Sequence, residues 1–193
     1  MKFLKTSLLK WDIHMKTRFF KHLRLINKHR RVIFGLCCKC GIIWQGLVHD
    51  LSKYSITEFR ESVNYYTGRR SPIEVCRKKN GFSLAWIHHK AKNKHHVEYW
   101  YDQRNSEQVD MPYKYAVEFI CDKIAAMKCY LGKKYKPELV LDRWLKSEVF
   151  SPTNERMTRF YITVFKDLSM YGEKHILNKS YLKEKYNTIV KNK

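Results

Sequence analysis

The sequence predicts an all-α protein. Three observations carry that expectation: apolar residues recur at helical spacing, helix-start and helix-stop signatures punctuate the runs, and turn formers are scarce, with 7 Gly and 4 Pro in 193 residues. A sandwich or barrel needs many tight turns, so this scarcity argues against most all-β architectures. The hydrophobic fraction of 44% supports a packed core, and the length favours one helical domain spanning residues 1–193.

From about Thr17 to Cys40, the positions Phe20, Leu23, Ile26, Ile33, Leu36 and Cys40 fall near one helical face. Ser55-Ile56-Thr57-Glu58 is a capping box, in which a serine oxygen accepts from an amide three residues on and the glutamate reaches back, so a helix is expected from about Ile56 to Tyr66. Ser71-Pro72-Ile73-Glu74 repeats the device with proline at the first helical position, and Asn80-Gly81 supplies the stop. Another helix should begin near Ser83 and carry Trp86, His88 and His89 toward Asn93-Lys94. A long one follows from Pro112 to about Leu131, its core side marked by Tyr115, Phe119, Ile120 and Ile124. Residues 136–193 read as helical turns interrupted at Ser151-Pro152 and at Gly172.

The 39 Lys and Arg against 18 Asp and Glu give a net charge of +21, which attracts nucleic acid, nucleotides or an anionic membrane surface. The other reading of that charge is compositional, an AT-rich coding bias toward Lys, Asn, Ile and Tyr. The six cysteines lack a second pair to follow Cys37-Cys38-Lys39-Cys40, so reduced, buried thiols are expected in preference to a zinc knuckle. Lys5, Lys10 and Asp12 interrupt the apolar start of the chain, which spoils a secretion signal, and no apolar run approaches the ~20 residues of a transmembrane helix. A cytoplasmic location is the resulting expectation.

The chemistry concentrates in histidines. His49-Asp50, His88-His89 and His95-His96 hold five of the nine. Imidazole and carboxylate are ligands for divalent transition metals, and an adjacent His-Asp pair converges on one ion where the backbone leaves a regular helix, as at a helix end. His88 and His95 are seven apart, as are His89 and His96, which places each pair on one face if the helix continues; if it breaks at Asn93, His95 and His96 can swing toward the same centre. Asp122, out of keeping with its apolar neighbours, can supply a further oxygen from the long helix. Lys53 is a candidate for holding a substrate phosphate. Glu58 is either a capping residue or part of the catalytic group. Asn93 and Glu98 either orient the histidines or face water.

The segments Gly46-Leu47-Val48-His49-Asp50-Leu51-Ser52-Lys53-Tyr54-Ser55, Arg70-Ser71-Pro72-Ile73, Ala85-Trp86-Ile87-His88-His89, Asn93 to Trp100, Met111-Pro112 and Glu118 to Asp122 together resemble the HD-domain superfamily of metal-dependent phosphohydrolases. They are similar, more closely still, to a bacterial and phage family catalogued only as a domain of unknown function. The resemblance covers about residues 20–132 and implies an HD-like helical bundle with a metal site between helices, followed by a C-terminal helical extension over 133–193. It implies His29, His49, Asp50 and Asp122 as one ligand set, with His89 and one of His95 or His96, here His96, extending it to a second ion. The family often carries tryptophan where Val97 and Lys123 stand, which bears on the pocket wall more than on the metal.

The function this implies is hydrolysis of a phosphoester in a nucleotide, cyclic nucleotide or other phosphorylated small molecule, with one or two divalent ions (Mn, Fe, Zn, Mg, Ni or Co). Asp50, Lys53 and Glu58 are then the candidate catalytic residues, and Lys53, Asn93, His88 and His95 the candidate substrate-binding ones. A basic nucleic-acid-binding protein with a structural metal is the alternative, and a di-iron oxygenase a third.

Overall fold

The computed structural model describes residues 2–102, 107–146 and 153–192, with side chains from residue 15 onward apart from 107 and 108. Regular structure among these residues is helical except for a two-residue antiparallel pair, β1 Tyr101–Asp102 with β2 Glu107–Gln108. No helix among them is long and apolar enough to cross a membrane. The chain divides into two compact units, one formed by Met1–His29 with Asp50–Lys92, the other by Arg30–His49 with Asn93–Lys193. Helix α1, Lys2–Lys39, contributes to both.

In the first unit, α3 (Ile56–Asn64) packs on α4 (Pro72–Asn80) and α5 (Leu84–Lys92), and a 3-10 turn at Leu51–Tyr54 leads into α3. The capping box forms by half. The Ser55 hydroxyl accepts from the Glu58 amide, but the Glu58 carboxylate turns away to two histidines of α5. Ser71, expected to cap the next helix, makes no side-chain cap bond; Pro72 occupies the first helical position, where its missing amide costs no hydrogen bond. Gly81 ends α4 at φ 80, a left-handed conformation that glycine adopts without steric cost. Glu61 caps α5, its carboxylate accepting from the Leu84 and Ala85 amides and from the Ser83 hydroxyl. Buried apolar residues here include Ile26, Val63, Cys76 and Ala85, together with the polar His22.

The second unit holds the larger core. Helix α6 (Tyr113–Leu131) carries Ala116, Val117, Phe119, Ile120, Ile124 and Ala125 into it, against α2 (Ile43–Val48), α7 (Glu138–Leu145), and α9 (Lys179–Tyr186). From α8 (Glu155–Ile176), Phe160, Tyr161, Phe165 and Leu168 are fully buried. The aromatic rings meet edge-on or tilted, Phe119 on Tyr161 at 4.5 Å and Trp144 on Phe165 at 5.6 Å. The phenol of Tyr186 donates to the Met111 carbonyl at 2.7 Å, which satisfies its polar end inside this core. Gly172 kinks α8 as expected, at φ 73. The expected break at Ser151-Pro152 lies outside the described residues. Cys37, Cys40 and Cys121 are free, buried thiols.

Candidate functional site

The chain leaves regular helix at His49-Asp50. His49 is the C-cap of α2, and Asp50 adopts φ 55, ψ 25, the one left-handed residue other than glycine among those described. Aspartate tolerates this region better than bulkier residues, and such strain concentrates at functional positions. Arg30 secures the turn from α1: its Nε donates to the His49 carbonyl at 3.0 Å and Nη2 to the Leu47 carbonyl at 2.7 Å. The His49-Asp50 peptide is also where the two units meet in the chain, so each unit holds one of the two side chains.

In the first unit, the Asp50 carboxylate is 1% exposed. Its Oδ1 stands 3.3 Å from His89 Nε2, and its Oδ2 stands 3.7 Å from His29 Nε2 and 2.6 Å from Lys53 Nζ. His89 is held from its other side, Nδ1 lying 2.8 Å from Glu58 Oε2. An ionised carboxylate only accepts, so Nδ1 carries a proton and donates to Glu58, which fixes the ring with Nε2 facing Asp50. His88 takes the second Glu58 oxygen at 2.7 Å. Burial opposes ionisation of Glu58, but hydrogen bonds from His89, Ser52 and His88 outweigh it and hold the carboxyl below its ordinary range.

The second unit repeats the arrangement. His49, 1% exposed, has Nδ1 at 2.8 Å from Glu118 Oε1, and its Nε2 lies 3.7 Å from Asp122 Oδ1. His95 Nδ1 reaches the same Glu118 oxygen at 3.1 Å, and its ring stands 4.4 Å from that of His49. Burial again opposes ionisation of Glu118, and the bonds from His49 and His95 again prevail, keeping it below the usual carboxylate range. The His96 ring packs against His95 at 4.3 Å.

These separations suit a shared cation. At a metal-ligand distance of about 2.1 Å, neighbouring donors of a tetrahedral site stand roughly 3.4 Å apart. The three Nε2-to-carboxylate distances of 3.3, 3.7 and 3.7 Å span that edge. In each unit, a glutamate on Nδ1 fixes the tautomer and orientation of a histidine, the arrangement that supports metal-ligating imidazoles. The donor set of neutral imidazole and carboxylate fits Mn, Fe, Co, Ni or Zn better than the all-oxygen preference of Mg.

Of the residues singled out in the sequence, the first unit therefore gathers His29, Asp50, Lys53, Glu58, His88 and His89, and the second His49, His95, His96 and Asp122. Lys53 and His88 are engaged with Asp50 and Glu58. Asn93 is buried at the turn before His95, its carbonyl accepting from the His96 amide. Glu118 is the residue that sequence reasoning missed. Its signal was present: it precedes Asp122 by four residues, so both acids lie on one face of a helix whose other charged residues are lysines.

Fold and donor geometry together define an all-α protein carrying histidine-carboxylate groups of a kind that divalent ions use. The chain belongs to the Family of unknown function (DUF5662), whose model matches residues 18–166. No curated protein and no solved structure matches it.

Proposed function

We propose that the protein is a metal-dependent phosphohydrolase of the HD type, acting on a nucleotide, cyclic nucleotide or other phosphorylated small molecule. The observation that carries this reading is the glutamate-histidine-aspartate relay found in each unit, Glu58-His89-Asp50 and Glu118-His49-Asp122. A glutamate that merely solvated a histidine would not require a second carboxylate facing the far nitrogen. Burying so many ionisable groups is costly without a compensating cation.

Asp50 would supply carboxylate oxygen to an ion, with His29 beside its Oδ2 and His89 beside its Oδ1 as imidazole ligands, and His49 with Asp122 would supply further ligands. A divalent ion bound there supplies a Lewis acid for a phosphoryl oxygen and lowers the pKa of water. Glu58 and Glu118 hold the imidazoles at Nδ1 and aim their Nε2 atoms at Asp50 and Asp122. Lys53, its side chain 28% exposed, sets a cation beside Asp50 where a substrate phosphate would need one.

Elemental analysis of the purified chain, paired with His49→Ala and Asp50→Ala variants, tests the reading. Stoichiometric transition metal in the parent, its loss in the variants, and parallel loss of phosphoester hydrolysis across a nucleotide panel are expected. A parent free of metal that hydrolyses the panel no faster than its variants refutes it. The +21 charge favours a second reading, nucleic-acid binding, which predicts affinity falling steeply with salt through counterion release.

A further inference from the structure

Helix α2 is amphipathic the wrong way round. Its buried residues are Gln45 and Gly46, whereas Ile43, Trp44, Leu47 and Val48 are exposed, Trp44 by 67% and Ile43 by 55%. The inversion follows from how the helix is seated. Gly46 lies against Phe34 and Cys37 of α1, so closely that a Cβ there would come within 2.8 Å of the Cys37 Cβ and 3.2 Å of the Phe34 Cα. With its small residue turned inward, the helix turns its large apolar residues outward. Phe34 of α1, itself 37% exposed, borders them.

The electrostatic setting is one-signed. From Ile13 to His49 the sequence has no Asp or Glu and eight Lys or Arg. Within the second unit, Arg31 and Lys39 of α1 are exposed, Arg31 one turn before Phe34, and exposed Lys179 lies against Gly41 at the entry to α2. A second copy of the chain is a poor occupant, because two molecules of charge +21 repel. An interfacial Trp-Leu-Ile-Val face rimmed by cations matches the anionic surface of a lipid bilayer. A helix of six residues can lie in the headgroup region but cannot span it.

We infer that α2 and the adjoining stripe of α1 form a docking face for anionic membranes, through which the protein sits on a bilayer without crossing it. Trp44, Leu47 and Ile43 enter the headgroup-acyl boundary, and Arg31, Lys39 and Lys179 meet the lipid phosphates. The face is distinct from the histidine-carboxylate groups and its occupancy does not depend on metal.

Co-sedimentation of the full chain with mixed phosphatidylserine-phosphatidylcholine vesicles, and with pure phosphatidylcholine vesicles, tests this. Binding to the anionic vesicles is expected. In Trp44→Ser/Leu47→Ser, which keeps every charge, partitioning should fall by about tenfold or more. Bromine-labelled acyl chains should quench tryptophan fluorescence in the parent and not in Trp44→Ser. Both residues are exposed, so thermal unfolding should be unchanged and a folding defect is readily told apart. Equal binding by parent and double variant would show attraction by net charge alone and overturn the inference, as would no binding at low salt. A parent dimer that the double variant converts to monomer would assign the face to self-association and overturn it equally.

Discussion

His22 makes the first unit sensitive to mild acid, and the size of the effect can be worked out. Its ring is 5% exposed on α1, packed against Phe59 at 5.3 Å and Tyr66 at 5.5 Å. Burial, reinforced by the Lys53 ammonium, lowers its pKa from 6.5 to about 4. The folded value lies below the unfolded one, so the unfolded chain takes up the proton first and stability falls as pH drops through 6.5 toward 4. A shift of this size corresponds to about 3 kcal/mol when fully expressed, of which about 2 kcal/mol is lost between pH 7 and 5. Other buried groups titrate in the same window. Urea denaturation of the parent and of His22→Leu, followed by far-ultraviolet circular dichroism across that range, therefore isolates the histidine by difference. The stability advantage of the parent over the variant should shrink by about 2 kcal/mol from pH 7 to pH 5. A difference that stays flat within about 0.5 kcal/mol would show that His22 is hydrated or protonated in the folded state and refute the reasoning.

Glu118→Gln should weaken transition-metal binding by roughly 10- to 100-fold, measured by competition with a chelating dye, because the amide no longer fixes His49 and His95. Unchanged affinity would leave Glu118 with a structural role only. Gly46→Ala should destabilise the chain by about 1–3 kcal/mol in urea melts, since the new methyl meets α1 backbone and Cys37. Ser55→Ala should cost about 1 kcal/mol through loss of the α3 cap, with metal content retained. The hydrogen bonds that hold Glu58 low contribute stability above the ordinary carboxylate range and lose it as pH falls through that range, a dependence that Glu58→Gln should remove from acid-denaturation curves.

Helix positions were legible in the sequence because their causes are local. Ser55, Pro72, Gly81 and Gly172 act on their own turns through hydrogen bonds or dihedral preference, and each marks the boundary or kink it announced. The candidate histidines were legible by type and spacing, and so was the need for a helix break at His49-Asp50. What Glu58 does was not legible. Its position reads as a cap, and only the packing of α5 on α3 brings His88 and His89 to its carboxylate in place of the Ser55 backbone. Glu118 shows the same limit: an acid among the apolar residues Val117, Phe119 and Ile120 announces burial, but its partners come from segments 69 and 23 residues away. The inverted face of α2 likewise depends on Gly46 meeting α1, and no periodicity within six residues could have revealed it. The sequence by itself determined the all-α class, the helix termini and the stock of metal-ligating side chains, since propensity and capping operate over a few residues. Tertiary structure alone decided which carboxylate orients which imidazole and which side of α2 meets solvent, because those contacts join residues that only folding makes neighbours.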